Sequence, residues 1–373
     1  MPEIILLCEY PTLNGGERSM LAVLDGLPAA GFSPVVMAPP GGPLADELAG
    51  RGVELLSFQC REIGGVRIPT DLLRRRLAQI LSRRRPALLH ANSLAMGRLS
   101  GPVAARLRLP SIAHLRDIVK LSDRAVADLN CHARLLAVSR ATREFHVSGG
   151  LSAEKTCVLY NGVDLDEFHP RPPTGYLHRE LGLSAEARLI GTIGQLGLRK
   201  GQDVLLRAAA TIADRAPNVH YLIVGERNSN KDESRQFEND LHDASGGPLL
   251  GRVHFLGRRN DVAPLLNELT LLVHAARQEP LGRVLLEAAA AGTTVVAAEV
   301  GGTPEIFPPQ CEAARLVEPD DSAALAAVIV ELLDDEPLRR RLAAAARRRA
   351  ETYFDSRTAA NNLLQHYRAV AST

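Results

Sequence analysis

The stretch EPLGRVLLEA places two carboxylates, Glu279 and Glu287, at positions i and i+8 around a glycine and a short apolar run. On one continuous helix that spacing would separate them by roughly 12 Å along the axis and about 80° around it, too far for a close acid/base pair. The residues between them favour another arrangement. Pro280 and Gly282 break the first half into a loop, and RVLLEAAAA then reads as a helix rich in alanine and leucine. Glu279 would stand before that helix and Glu287 within it, so the pair could grip opposite ends of one elongated ligand. Backbone N–H groups around Leu281, Gly282 and Arg283 would face the ligand's middle, where they favour an anion.

Other stretches offer anion chemistry. GTIGQLGLRKG carries Gly191, Gly194 and Gly197, a G-x-x-G-x-x-G spacing that lacks the tight turn of the dinucleotide fingerprint G-x-G-x-x-G. No Gly-Lys-Ser/Thr occurs, so there is no Walker loop. What remains is a glycine-rich turn, the adjacent cations Arg199 and Lys200, and a helix start at Gly201, which together could hold a diphosphate or serve as a solvated loop. LNGGERSML poses a similar choice: Gly15 and Gly16 allow close backbone approach to a ligand, or supply a turn with positive φ. His114, ending SIAHL, reads locally as either a packed histidine or a catalytic one. Asp164 and Asp166 imitate a metal-binding D-x-D, but Asn161-Gly162 beside them favours plain turn chemistry.

These residues need elements to position them. EIILLC, SPVVMA, VELLSF, PALLHA, SIAHL, RLLAVS and TCVLYN are strand candidates separated by amphipathic segments, an order that predicts a doubly wound parallel sheet. Pro170, Pro172 and Pro173 then mark a linker. The pattern restarts with RLIGTIG, VHYLIVG, RVHFLG, TLLVHAA, TTVVAAE and ARLVEP, and from about Ser322 the chain reads as helical. The expectation is two α/β domains of Rossmann-like type facing a cleft, one over residues 1–168 and one over 169–354, with a last helix over 355–373 returning to the first. Ligands of open α/β sheets bind at the carboxyl ends of the strands, where the glycines and polar residues of this chain gather.

Composition narrows the classes. A chain of 373 residues suits two domains, and a formal charge of +1, from 44 Lys plus Arg against 43 Asp plus Glu, gives no global field for nucleic acid. The five cysteines are odd in number and widely spaced, which suits reduced thiols and a cytoplasmic setting and suggests no zinc site. MPEIILLCEY lacks a basic start and reads as a first strand rather than a signal peptide, and no apolar run is long enough to span a bilayer.

Taken in order, NGGERSMLAVLDGL, VSRATREFHVSGGLSAEKTCVLYNGVDLDEFHP, GQLGLRKGQDVLLRAAATI, VHFLGRRNDVAPLLNE and EPLGRVLLEAAAAGTTVVAAEVGGTPEI resemble the retaining glycosyltransferases of family 4, over nearly the whole chain. The resemblance implies the two-domain GT-B fold and transfer of a sugar from a nucleotide-diphosphate sugar, with retention of anomeric configuration and without a metal or other cofactor. It implies that Glu279 and Glu287 are the family's paired glutamates, with Glu287 on the ribose hydroxyls and Glu279 at the donor sugar. It places Lys200 and Arg199 at the diphosphate, Gly16 with neighbouring Gly15 near the β-phosphate, His114 near the transferred sugar, and backbone groups at Gly257 and Arg258 near the base. Glu279, His114 and Lys200 would be the catalytic group. The family's arginine beside the diphosphate is replaced by Gln195, with Arg199 or Arg283 as candidate substitutes.

The acceptor is not encoded in any motif. DLLRRRLAQILSRRR sets Leu72, Leu73, Leu77, Ile80 and Leu81 on one helical face and arginines mostly on the other, which reads first as a core-facing helix with a solvated basic face. A second expectation is peripheral association with an anionic membrane at its inner face. The rival functions are a nucleotide-sugar-binding protein without transfer activity and another GT-B enzyme such as a sugar-nucleotide epimerase.

Overall fold

The computed structural model describes residues 1–62 and 65–371. It divides into two compact units, Met1–Gly162 with the segment from Ser356 onward, and Val163–Asp355. The chain passes from the first to the second before residue 168, because Val163 already belongs to the second unit: its N–H donates to the Phe354 carbonyl at 2.7 Å and it bridges Asp355. Next to it, Gly162 lies against Ser356, where an added Cβ would come within 2.4 Å of the Ser356 Cα. The two crossings of the chain therefore run side by side.

The first unit holds β1 (Glu3–Leu7), β2 (Ser33–Ala38), β3 (Glu54–Ser57), β4 (Leu88–Ala91), β5 (Ser111–Leu115), β6 (Arg134–Ala137) and β7 (Thr156–Val158). They form one parallel sheet in the order β3-β2-β1-β4-β5-β6-β7. The apolar runs of β1, β4 and β5 are continuous because both faces are covered, whereas edge strand β3 leaves Glu54 and Ser57 exposed. Side chains alternate across the sheet: Ile5, Leu7, Leu89 and Leu115 pack with helices Thr70–Arg84 and Leu94–Leu107, while Ile4, Leu6, Leu88 and Ile112 pack with helices Gly15–Leu24 and Ser356–Ala371. Helix Thr70–Arg84 buries Leu73, Leu77, Ala78 and Leu81, with Leu72 and Ile80 partly covered. Arg74 pairs with Asp128, and Arg84 with Glu3 and Glu54, leaving Arg75, Arg76 and Arg83 as its exposed basic face.

The second unit holds β8 (Arg188–Ile193), β9 (Val219–Val224), β10 (Val253–Gly257), β11 (Leu271–His274), β12 (Val295–Ala298) and β13 (Arg315–Val317), parallel in the order β10-β9-β8-β11-β12-β13. Ile190, Tyr221, Leu271 and Val296 share a core with helices Gln202–Thr211 and Ser322–Asp334. The strand order reverses between β1 and β4 in one sheet and between β8 and β11 in the other, and those switch points are where open α/β sheets take ligands. In the linker, the Asp164 carboxylate accepts from the N–H groups of Asp166 (2.8 Å) and Glu167 (3.0 Å), so the D-x-D is a turn. Buried Glu268 pins the chain just beyond the prolines by accepting from Thr174 and Gly175. Among the described residues no helix is long and apolar enough to cross a membrane.

Candidate active site

At the switch point of the second sheet, the loop after β8 meets the loop after β11. Their backbones touch, which is why glycine is required: Gly201, at φ 67°, would place a Cβ 1.8 Å from the Ala275 carbonyl oxygen. A turn of 3-10 helix, Leu198–Lys200, precedes Gly201, so the helix proper begins at Gln202. This approach brings the Lys200 ammonium onto the Glu279 carboxylate. His274, the last residue of β11, donates from Nε2 to the same oxygen, Glu279 Oε2, at 2.8 Å. Glu279 is only 5% exposed. Burial would raise its carboxyl, but Lys200 and the His274 hydrogen bond outweigh that and hold it well below the usual carboxylate range. Burial keeps His274 itself below its ordinary value, so the imidazole is a neutral donor. The Glu279 backbone is fixed as well: Gly302 donates to its carbonyl at 3.0 Å, and a Cβ on Gly301 would lie 1.9 Å from that oxygen.

Glu279 precedes helix Arg283–Ala291, and Glu287 lies within it. Gly282, at φ 104°, forms the N-cap without a side-chain cap, leaving the helix end open to an anion. Arg283 Nε donates to Glu287 Oε1 at 2.6 Å, so this arginine is engaged with the second glutamate, while its buried Nη1 has no partner among the described residues. Leu281 is buried beneath the loop. Arg199 is exposed, with Nη1 3.4 Å from the Gln278 carbonyl. The side chain of Gln195 is exposed too, and its carbonyl accepts from Gln202 at 3.0 Å. Gly257 ends β10 at φ 60° and accepts from the Gly225 N–H at 2.8 Å, and the Arg258 N–H reaches Glu226 at 3.4 Å.

Three residues of this site had no motif to announce them. His274 orients Glu279. Arg277 holds the cation turn from below, through the Leu198 carbonyl (2.6 Å) and a pair of bonds to Asp203 (2.9 and 2.7 Å). Asp203 stays below its usual range because Arg277 and Arg207 outweigh its partial burial.

In the first unit, Gly15 and Gly16 open helix Gly15–Leu24 after Asn14. Neither has positive φ, so of the two readings the turn is excluded and the pair belongs to the helix N-terminus. The absent side chain at Gly16 serves close approach instead: a Cβ there would sit 3.3 Å from Arg116 Cδ. Arg116 was not singled out by sequence, yet it organises this end of the sheet. Its guanidinium donates to the Asn92 carbonyl (3.0 Å), Asn92 Oδ1 (2.9 Å), Asn161 Oδ1 (2.8 Å) and His114 Nδ1 (3.2 Å), while Asn92 Nδ2 donates to the Gly16 carbonyl at 3.1 Å. His114, at the end of β5, is buried, and burial with Arg116 beside it keeps it well below its ordinary value.

Residues 13–167 match the model of glycosyltransferase family 4, and residues 176–349 the model of glycosyl transferases group 1. A crystal structure of Anabaena Alr3699/HepE in complex with UDP-glucose is similar over 99% of this chain and 100% of that one, with TM-score 0.86 and 25% identity. Among curated proteins, the D-inositol 3-phosphate glycosyltransferase of Corynebacterium urealyticum is 31% identical over 46% of this chain and 42% of its own. The phosphatidylinositol N-acetylglucosaminyltransferase GPI3 subunit of Saccharomyces cerevisiae is 30% identical over 47% of this chain and 37% of its own. The matched stretch thus spans less than half the length of these curated relatives. With the two models matched in succession along the chain and both parallel sheets in place, the chain belongs to glycosyltransferase family 4, of GT-B fold.

Proposed function

We propose that the protein transfers a sugar from a nucleotide-diphosphate sugar to an acceptor with retention of anomeric configuration and without a metal. The observation that carries this reading is the buried Lys200–Glu279–His274 cluster, set beside the open N-terminus of helix Arg283–Ala291. Breaking the anomeric C–O bond leaves negative charge on the departing diphosphate and positive charge on the sugar ring. Lys200, Arg199 and the helix N–H groups stabilise the first without metal assistance, and the ionised Glu279 favours the second. Glu287 binds the ribose hydroxyls, for which its two oxygens suit it, after Arg283 yields one of them. Gly257 and Arg258 present backbone groups to the base. In the first unit Gly16 lets the helix N-terminus approach the diphosphate, and His114 hydrogen-bonds the sugar. UDP-glucose is the first donor to try, since the Anabaena relative has been crystallised with it.

Retention is tested by the anomeric coupling in the NMR spectrum of the first product formed from an α-linked donor, with EDTA present throughout. An α product supports the reading, and a β product contradicts it. A lipid-linked acceptor would bring the exposed Arg75, Arg76 and Arg83 to an anionic surface, and cosedimentation with anionic vesicles at low salt tests that.

A further inference from the structure

A chain of buried polar groups runs inward from His114. Its Nδ1 lies 2.8 Å from His90 Nε2, and His90 Nδ1 lies 2.6 Å from the hydroxyl of Tyr367. His90 sits on β4, and Tyr367 comes from the last helix, Ser356–Ala371. His90, His114 and Tyr367 are 1%, 3% and 0% exposed.

The direction of the chain follows from donors and acceptors. A guanidinium has only donors, so the 3.2 Å contact from Arg116 Nη2 favours His114 Nδ1 as an acceptor, and the shorter contact from His90 is needed to hold it there. His90 Nε2 faces the same nitrogen and must donate to it, in a shared contact. His90 Nδ1 is then left as an acceptor, and the Tyr367 hydroxyl donates to it. The remaining proton of a neutral His114 lies on Nε2, which has no hydrogen bond among the described residues and is not sealed from solvent. The opposite order would point an N–H of His114 at an N–H of Arg116.

We propose that Tyr367 and His90 are positioning residues that, with Arg116, lock His114 in the Nε2–H tautomer, so that this histidine meets the sugar as a fixed hydrogen-bond donor and never as a base. The role given to the sugar contact rests on the function proposed above; the tautomer does not. Burial supports the lock, since it holds His90 down at about 3 and His114 below its ordinary value, and both rings stay neutral at pH 7. Tyr367, buried, keeps its proton.

The test is two-bond 1H–15N correlation on histidine-labelled full-length protein without ligand. The expected result is an Nε2-protonated His114 from pH 6 to 8, becoming a tautomer mixture in Tyr367→Phe. His90→Gln, which keeps an amide donor near that place, should preserve the wild-type pattern, and His90→Leu should lose it. Phe32→Leu, which alters packing against the Tyr367 ring (centroids 6.2 Å apart), should lower the Tm and leave the tautomer alone. With a donor sugar, Tyr367→Phe should reduce kcat/KM roughly tenfold, about one hydrogen bond, with nucleoside diphosphate affinity unchanged. An Nδ1-protonated His114 in the wild type, or an unchanged spectrum in both Tyr367→Phe and His90→Leu, overturns the proposal. A locked Nε2–H tautomer in a protein that turns over no nucleotide sugar would sustain the lock and refute the proposed function instead.

Discussion

Replacing Lys200 with methionine removes the cation facing Glu279 while keeping most of its stem. The Glu279 side chain is 7% exposed and that of Lys200 16%, so the carboxylate has little water to fall back on. Stripping one partner from a buried pair costs about 3–5 kcal/mol. His274 still donates one hydrogen bond, which argues for the lower end, about 3 kcal/mol. Glu279→Gln should cost less, about 1 kcal/mol, because a lysine left alone can turn its ammonium towards solvent. The double variant should then be more stable than the sum of the singles predicts, by at least about 2 kcal/mol. Acid sharpens the test. In the wild type the Glu279 carboxyl lies below its unfolded value, so its stabilisation is present above that value and lost as pH falls. In Lys200→Met the main charge holding it down is gone, so the penalty should shrink as pH falls and the carboxyl protonates. The chain has no tryptophan, so urea unfolding is best followed by circular dichroism. Additivity of the two substitutions within about 0.5 kcal/mol would refute the pairing argument.

The other predictions concern glycine, histidine and the diphosphate. Gly301→Ala, whose Cβ would fall 1.9 Å from the Glu279 carbonyl oxygen at φ 52°, should cost several times the ~1 kcal/mol of an ordinary glycine substitution and displace Glu279, read as lost donor affinity in calorimetry. His90 and His132 are held at about 3 and about 4 by burial, below the unfolded value of 6.5. The unfolded chain therefore binds more protons in that window, and stability present above pH 6.5 should fall by about 2 kcal/mol per histidine at pH 5. A melting temperature flat from pH 7 to pH 5 would speak against it. Gln195→Arg should tighten donor binding severalfold by adding a cation beside the diphosphate, with weaker binding as the contrary result.

Every strand of both sheets falls inside an apolar run readable in the sequence, because strands covered on both faces leave an unbroken hydrophobic signature. The loop before helix Arg283–Ala291 was readable for a different reason: proline and glycine punctuate it. Glu279, Glu287, Lys200 and His114 could be singled out because they sit in recognisable stretches. Their supports could not. His90, Arg116 and Tyr367 meet through strand order and the return of the last helix, so no local spacing links them. His274 looks like one more residue of an apolar strand until its partner is known. Gly15-Gly16 read equally as a turn or as a close approach, since glycine permits positive φ without requiring it, and the choice between them needed the backbone angles.

The most direct test of the account is isothermal titration of the protein with UDP-glucose and other nucleotide-diphosphate sugars in EDTA, with hydrolysis of any binder measured beside Glu279→Ala and Lys200→Ala. The account predicts metal-independent binding of at least one donor, with turnover that both substitutions abolish. Turnover that survives both substitutions, or that requires a divalent metal, would contradict it.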